Sequence, residues 1–237
     1  YVFSDTGAYL GINNTFDAKG QAVFQLPDGA YRFRIDYLGY QYWTADYSVP
    51  AESSATITIE HQDVRISVAG NFQGALTPLQ GVKLYLFTAA GAYMGLYDTS
   101  DAAGEATFSL PQQVYKIRAD FLSRQYWSDE IPGGDDNIEI PMAEARVLVA
   151  LGGVPAEDAR VYVFSETGAY LSTNGTTDYT GEVVFMLPAG NYKFRADALG
   201  EQYWSEVELL EADQSNVIRI DDVHTWHTTW GSDNLES

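Results

Sequence analysis

The stretch "LPAGNYKFRADALGEQYW" runs from Leu187 to Trp204, and nearly the same line stands twice earlier: "LPDGAYRFRIDYLGYQYW" from Leu26 to Trp43 and "LPQQVYKIRADFLSRQYW" from Leu110 to Trp127. In the first copy Tyr31, Phe33, Ile35 and Tyr37 alternate with Arg32, Arg34 and Asp36. Period two predicts a half-buried β-strand. "QAVFQLP", residues 21–27, reads as the strand before it, and Pro27-Asp28-Gly29 as the turn between them. The second copy has Gln113 where the others have Gly29 and Gly190, so no positive φ is expected there.

Working outward, Phe3, Phe87 and Phe164 align, and forty gapless steps lead from each to Trp43, Trp127 and Trp204. Gly7, Ala8, Tyr9, Thr15, Asp17, Gly20, Phe24, Tyr31, Arg34, Asp36, Leu38, Gln41 and Tyr42 recur in all three copies. Such self-similarity marks a repeat architecture. "TFDAKGQ", "TSDAAGE" and "TTDYTGE" read as turns, the Asp bonding the backbone ahead of it and the Gly fitting the exit. No segment shows an amphipathic helix. Each repeat adds a strand after the Trp ("NIEIPM", "NVIRI") and one before the Phe ("DVRISVAG", "ARVLVAL"). About seven short strands per repeat, with turn signals between them, suggest a β-sandwich.

The frame Thr177-Asp178, Gly181, Phe185, Leu187-Pro188, Gly190, Tyr192 resembles the carboxypeptidase regulatory-like and collagen-adhesin B-type modules, which share a prealbumin-like sandwich. The resemblance covers all three repeats. It implies an all-β chain of three tandem seven-stranded immunoglobulin-like or prealbumin-like sandwiches, of the kind found in series in large secreted or surface proteins. Many such adhesin modules carry a Lys–Asn isopeptide bond promoted by a Glu four residues after the repeated Tyr. That position holds Ile35, Ala119 and Ala196 here, so no isopeptide bond is expected. No peptidase activity is carried over, because the regulatory-like module is non-catalytic.

The phase of the repeats divides the chain into 1–61, 62–142, 143–221 and a tail, 222–237. The first repeat starts at its Phe strand and lacks the leading strand. The tail "DDVHTWHTTWGSDNLES" occupies the place of a further leading strand. A strand such as Val64, Ile66 and Val68 buries three aliphatics at about 1.5–3 kcal/mol each. One subunit could therefore complete the next by β-strand addition, with Val223, Thr225, Trp226, His227 and Trp230 in the donated segment. A head-to-tail contact that does not close propagates a filament. Equally, the chain could be a window of a longer tandem array; it opens without Met or a signal peptide, as a processed product or a piece would. One register puts Thr225, His227 and Thr229 inward, and a slip of one residue puts Trp226 and Trp230 there instead.

The remaining features point away from catalysis. With 13 Lys and Arg against 33 Asp and Glu, the net charge is −20. Such a surface repels nucleic acid and anionic membranes, and no apolar run is long enough to insert as a helix. There is no cysteine. His61, His224 and His227 lie outside the repeated block. The pair Asp135-Asp136 lies on a turn between strands, as does Asp221-Asp222. No catalytic residue and no protein-built metal centre is expected, though acidic linkers such as Asp221-Asp222 could take calcium between repeats. Asn13 and Asn174 sit in N-glycosylation sequons. Arg34 and Asp36, Arg118 and Asp120, and Arg195 and Asp197 are expected to form cross-strand ion pairs or to lock one repeat against its neighbour. Of Tyr42 and Trp43 one faces inward: "WTADYSV" favours Trp43, while "YWSEVEL" favours Tyr203. Whichever ring is exposed, Trp43, Trp127 and Trp204 being the candidates, could stack on sugars. The expected role is structural and non-enzymatic: an extracellular or cell-surface filament or stalk whose main partner is itself, head to tail. An adhesin-like or carbohydrate-binding module, with a glycan or surface partner, is the competing class.

Overall fold

The computed structural model describes residues 1–221, and every described regular element is a strand. In the first repeat β1 (Val2–Ser4), β2 (Tyr9–Ile12), β3 (Gly29–Tyr37), β4 (Tyr40–Trp43) and β5 (Tyr47–Val49) form one sheet, ordered β2-β1-β3-β4 with β5 also on β3. In the second repeat β6 (His61–Phe72), β7 (Ala75–Pro78), β8 (Lys83–Thr88), β9 (Tyr93–Thr99), β10 (Glu105–Pro111), β11 (Tyr115–Phe121) and β12 (Arg124–Trp127) lead into β13 (Asp136–Leu151). In the third, β14 (Val154–Pro155), β15 (Arg160–Ser165), β16 (Tyr170–Thr176), β17 (Glu182–Pro188), β18 (Gly190–Ala198), β19 (Glu201–Trp204), β20 (Glu208–Leu210) and β21 (Ser215–Asp221) complete the described chain. The all-β architecture matches the sequence reading. The short ladders of β7, β14 and β20 carry little side-chain patterning.

The second and third repeats are two-layered. One layer is β12-β11-β8-β9, or β19-β18-β15-β16. In the other, the leading strand lies in the middle: β6 pairs antiparallel with β10 and parallel with β13, and the second half of β13 pairs antiparallel with β17 and parallel with β21. Alternation fills the space between layers. Val64, Ile66 and Val68 meet Leu84, Leu86, Ile117, Ile138 and Ile140 in one core; Ala145, Val147 and Val149 meet Val161, Val163, Phe194, Ile218 and Ile220 in the next. The turn reading holds in detail. Asp101 Oδ1 accepts from the amides of Ala103 and Glu105, and Asp178 Oδ1 from those of Thr180 and Glu182. In each repeat the Tyr hydroxyl donates to the Pro carbonyl four residues back: Tyr31 to Pro27, Tyr115 to Pro111 and Tyr192 to Pro188. Burial raises the Tyr115 phenol well above the usual range and pushes Tyr126 up to about 12.

The joints between repeats are covalent and packed at once. β13 is a single 16-residue strand that closes the second sandwich with residues 136–141 and leads the third with residues 142–151. Across the first joint, Leu38 and Tyr40 pack on the second core, and the Tyr40 hydroxyl donates to the Val114 carbonyl at 3.0 Å. Across the second, Leu122 packs on the third core, and the Arg124 guanidinium reaches the Asn191 carbonyl and lies over the Tyr192 ring. One departure from the sequence reading lies here. Gly190 has φ +145° and a Cβ there would run into the Arg124 guanidinium, whereas neither Gly29 nor Gln113 has a positive φ.

Candidate functional site

The first repeat carries the feature most open to function. In the complete repeats the leading strand separates two neighbours. Their counterparts in the first repeat are residues 21–27 and 52–60, and neither joins a ladder. The alternation that predicted a strand at "QAVFQLP" is present, but its hydrogen-bonding partner is not, so no strand forms. Phe24, Leu26, Ile57 and Ile59 stay partly exposed, while their counterparts Phe108, Leu110, Ile138 and Ile140 are buried. Only Val2, Phe3 and Tyr31 reach full burial among apolar residues of this repeat. Both segments thus flank an unfilled place in the ladder, a slot edged by partly exposed apolar side chains, where the Gln21 carbonyl accepts from the Asp17 amide and that of Val23 from Asn14.

Glycine geometry shows how closely the leading strand is held in the complete repeats. A Cβ on Gly104 would lie 2.5 Å from the Val68 carbonyl oxygen, and one on Gly181 would lie 2.5 Å from that of Val149. The turn thus presses its backbone directly on the leading strand, and Val68 and Val149 donate to the Gly104 and Gly181 carbonyls at 2.8 Å. Gly20 is the counterpart, and a Cβ there would meet nothing within 4 Å.

A second repeated feature covers the outer face of the other sheet. Trp43, Trp127 and Trp204 are 42, 48 and 47% exposed. Each leans on the Phe that opens its repeat, at 4.7–4.8 Å between ring centroids. Tyr126 and Tyr203 turn inward and pack on their cores, and Tyr42 is half-buried. The inward position thus belongs to the Tyr in all three copies, and the "WTADYSV" hint toward an inward Trp43 fails. The Arg–Asp pairs also differ from expectation. Arg34, Arg118 and Arg195 grip Asp36, Asp120 and Asp197 on the same strand, two residues on, at 2.7–2.8 Å. The residues across the ladder from each Arg are aromatic: Tyr85 and Trp127 for Arg118, Tyr162 and Trp204 for Arg195. No carboxylate is opposite, and the guanidinium lies over rings instead. Each cation therefore lies between a carboxylate and an aromatic face, with two hydrogen bonds in the Arg118–Asp120 pair and one in each of the others.

The other sequence candidates stand apart. Asn13 and Asn174 are exposed, each amide donating to the hydroxyl of the Tyr four residues back, Tyr9 and Tyr170. Asp135 pairs with Arg65 across sixty-nine intervening residues, at 2.7 Å, and His61 rests against Tyr37. Among the described residues no three His, Asp or Glu side chains are grouped to hold a metal ion. Val223, Thr225, Trp226, His227 and Trp230 lie outside the described residues, as does Asp222 of the acidic pair. Sequence reasoning passed over Leu38, Tyr40, Leu122 and Arg124 as joint residues. The available signal was an apolar residue recurring at a hairpin tip, where a polar one is usual.

No protein-family model matches the chain, and no curated protein matches it. Solved structures similar to it include a minor pilin of the Gram-positive pathogen Streptococcus agalactiae, at 15% identity and a TM-score of 0.38, covering 72% of this chain and 100% of that one. The shaft pilin SpaA of Lactobacillus rhamnosus GG is similar at 14% identity and a TM-score of 0.35, covering 71% and 100%. A streptococcal ancillary pilin is similar at 14% identity and a TM-score of 0.29, covering 83% and 76%.

Proposed function

We propose that the chain is a structural, non-enzymatic subunit of an extracellular filament or stalk, in which each sandwich is completed by the strand running out of the sandwich before it. The carrying observation is β13, one unbroken strand that ends one core and starts the next. The open slot of the first repeat has the same two flanks and takes the same kind of strand, antiparallel to residues 21–27 and parallel to residues 52–60. The tail after β21 follows the last described core as residues 142–151 follow the second. Copies then join head to tail, the tail of one filling the slot of the next. The heavily acidic composition keeps such a polymer soluble.

Electron microscopy of the purified chain, with and without residues 222–237, tests this. The full chain is expected to form thin fibres and the truncation none. Gly20→Ala should also abolish fibres, because its new methyl group would meet the incoming strand's carbonyl as at Gly104 and Gly181. If the full chain stays monomeric, donation between copies is wrong, and the filling strand belongs to a preceding repeat of the same polypeptide.

A second reading rests on the three half-exposed Trp rings, each fixed in place by a Phe and an Arg. Exposed aromatics can stack on sugar rings, which would make this outer face a glycan-binding surface. Titration with soluble polysaccharides, followed by Trp fluorescence, separates the two. The structural reading expects no saturable change; a saturable change lost in Trp127→Ala would favour the glycan.

A further inference from the structure

Leu38, Leu122 and Leu199 occupy the same position, the first residue of the two-residue hairpin tip between β3 and β4, β11 and β12, and β18 and β19. All three have left-handed backbones, with φ of 48°, 45° and 51°. Such a tip favours Asn, Asp or Gly, and a bulky aliphatic there is strained. Strain of this kind persists where something else over-determines it. For Leu38 and Leu122 that something is evident, since each is packed on the core of the following sandwich. Leu199 has the same backbone and is 89% exposed, more than any other large apolar residue described.

We infer that Leu199 is the plug of a third joint, and that its socket is the Ala30-Tyr31 edge of the first sandwich of a second copy of this chain. The inference rests on the head-to-tail reading above and adds a contact to it. Continuity with the two internal joints identifies the occupant. The receiving lip there is a residue pair, Val114-Tyr115 and Asn191-Tyr192, held by the Tyr–Pro hydrogen bond. The first sandwich carries that lip as Ala30-Tyr31, with the Tyr31–Pro27 bond already made at 2.9 Å. At that lip no hairpin tip from within this chain reaches it, since the two described plugs are spent on the second and third cores. The first sandwich thus offers a formed lip and a partly uncovered core, and the third offers a plug without a core.

The substitution that tests this is Leu199→Asn. Asn suits the left-handed tip, so folding is preserved and the thermal midpoint should hold or rise. Self-association of the full chain, followed by sedimentation across a concentration series, should weaken about tenfold or more. Unchanged self-association in Leu199→Asn overturns the plug. The deletion of 222–237 run alongside keeps the two ideas apart. If the deletion abolishes association and Leu199→Asn does not, strand donation stands and the plug falls. If Leu199→Asn weakens association and the deletion does not, the plug stands without strand donation. A parent chain that never associates overturns both.

Discussion

Gly181→Ala is expected to destabilise the third sandwich by about 3 kcal/mol or more, read as a fall in the midpoint of its thermal or urea transition. Two costs combine. The φ of +74° forces a left-handed backbone on an L-residue, at about 1–2 kcal/mol. The new Cβ would also lie 2.5 Å from the Val149 carbonyl oxygen and 3.1 Å from the Ala156 nitrogen. Both are backbone atoms, so no rotamer change can relieve the clash, and the leading strand must shift. Gly104→Ala should behave alike against Val68. Gly20→Ala shares the backbone cost without the clash and should cost only about 1–2 kcal/mol in the separated chain. Equal effects at all three sites would mean that the slot of the first repeat is already closed.

Phe194→Ala is the second large effect. Phe194 is fully buried, stacked on Phe185 in the third core, and its truncation should cost about 3–5 kcal/mol. Its counterpart in the first repeat, Phe33, is only half-buried, between Phe24 and Tyr47. Phe33→Ala should therefore cost distinctly less in the monomer. In assembled fibres the difference should narrow, because a strand laid in the slot would finish the burial of Phe33. Hydrogen exchange resolved by repeat reads both cases. A Phe33→Ala penalty as large as that of Phe194→Ala in the monomer would show a first core that is already complete.

Much of this was legible in the residues. Strict alternation in "YRFRIDY" and the Asp-x-x-Gly spacing lead to the strands and turns that the structure shows. What escaped was decided by neighbours across the ladder. Arg34 and Asp36 look like partners for other strands, but Trp43 and Tyr1 stand opposite Arg34, so the carboxylate on its own strand is the nearest anion. Tyr42 and Trp43 could not be sorted, because the residues after them alternate differently in each copy. The choice follows from Phe3, Phe87 and Phe164, which give the Trp a resting place outside the core. Gly190 was misread because Arg124, the group a Cβ there would meet, comes from the preceding repeat. The hairpin-tip leucines offered only their recurrence as a signal; their left-handed backbone is common to all three copies, Leu199 included, whether or not a following sandwich covers them.

The parallel pairing of entering and leaving strands has a mechanical consequence. In the second sandwich β6 enters and β13 leaves side by side in the same direction, and in the third β13 and β21 do the same. A pull on the two ends of such a chain drags these strands lengthwise against each other. Every hydrogen bond of the ladder is then loaded at once, in shear, and none can be peeled open ahead of the rest. Since β13 belongs to both sandwiches, tension crosses the joint along extended backbone with no slack loop in line. A chain so built resists stretching through topology alone, without covalent cross-links, and yields by the slow rupture of whole ladders.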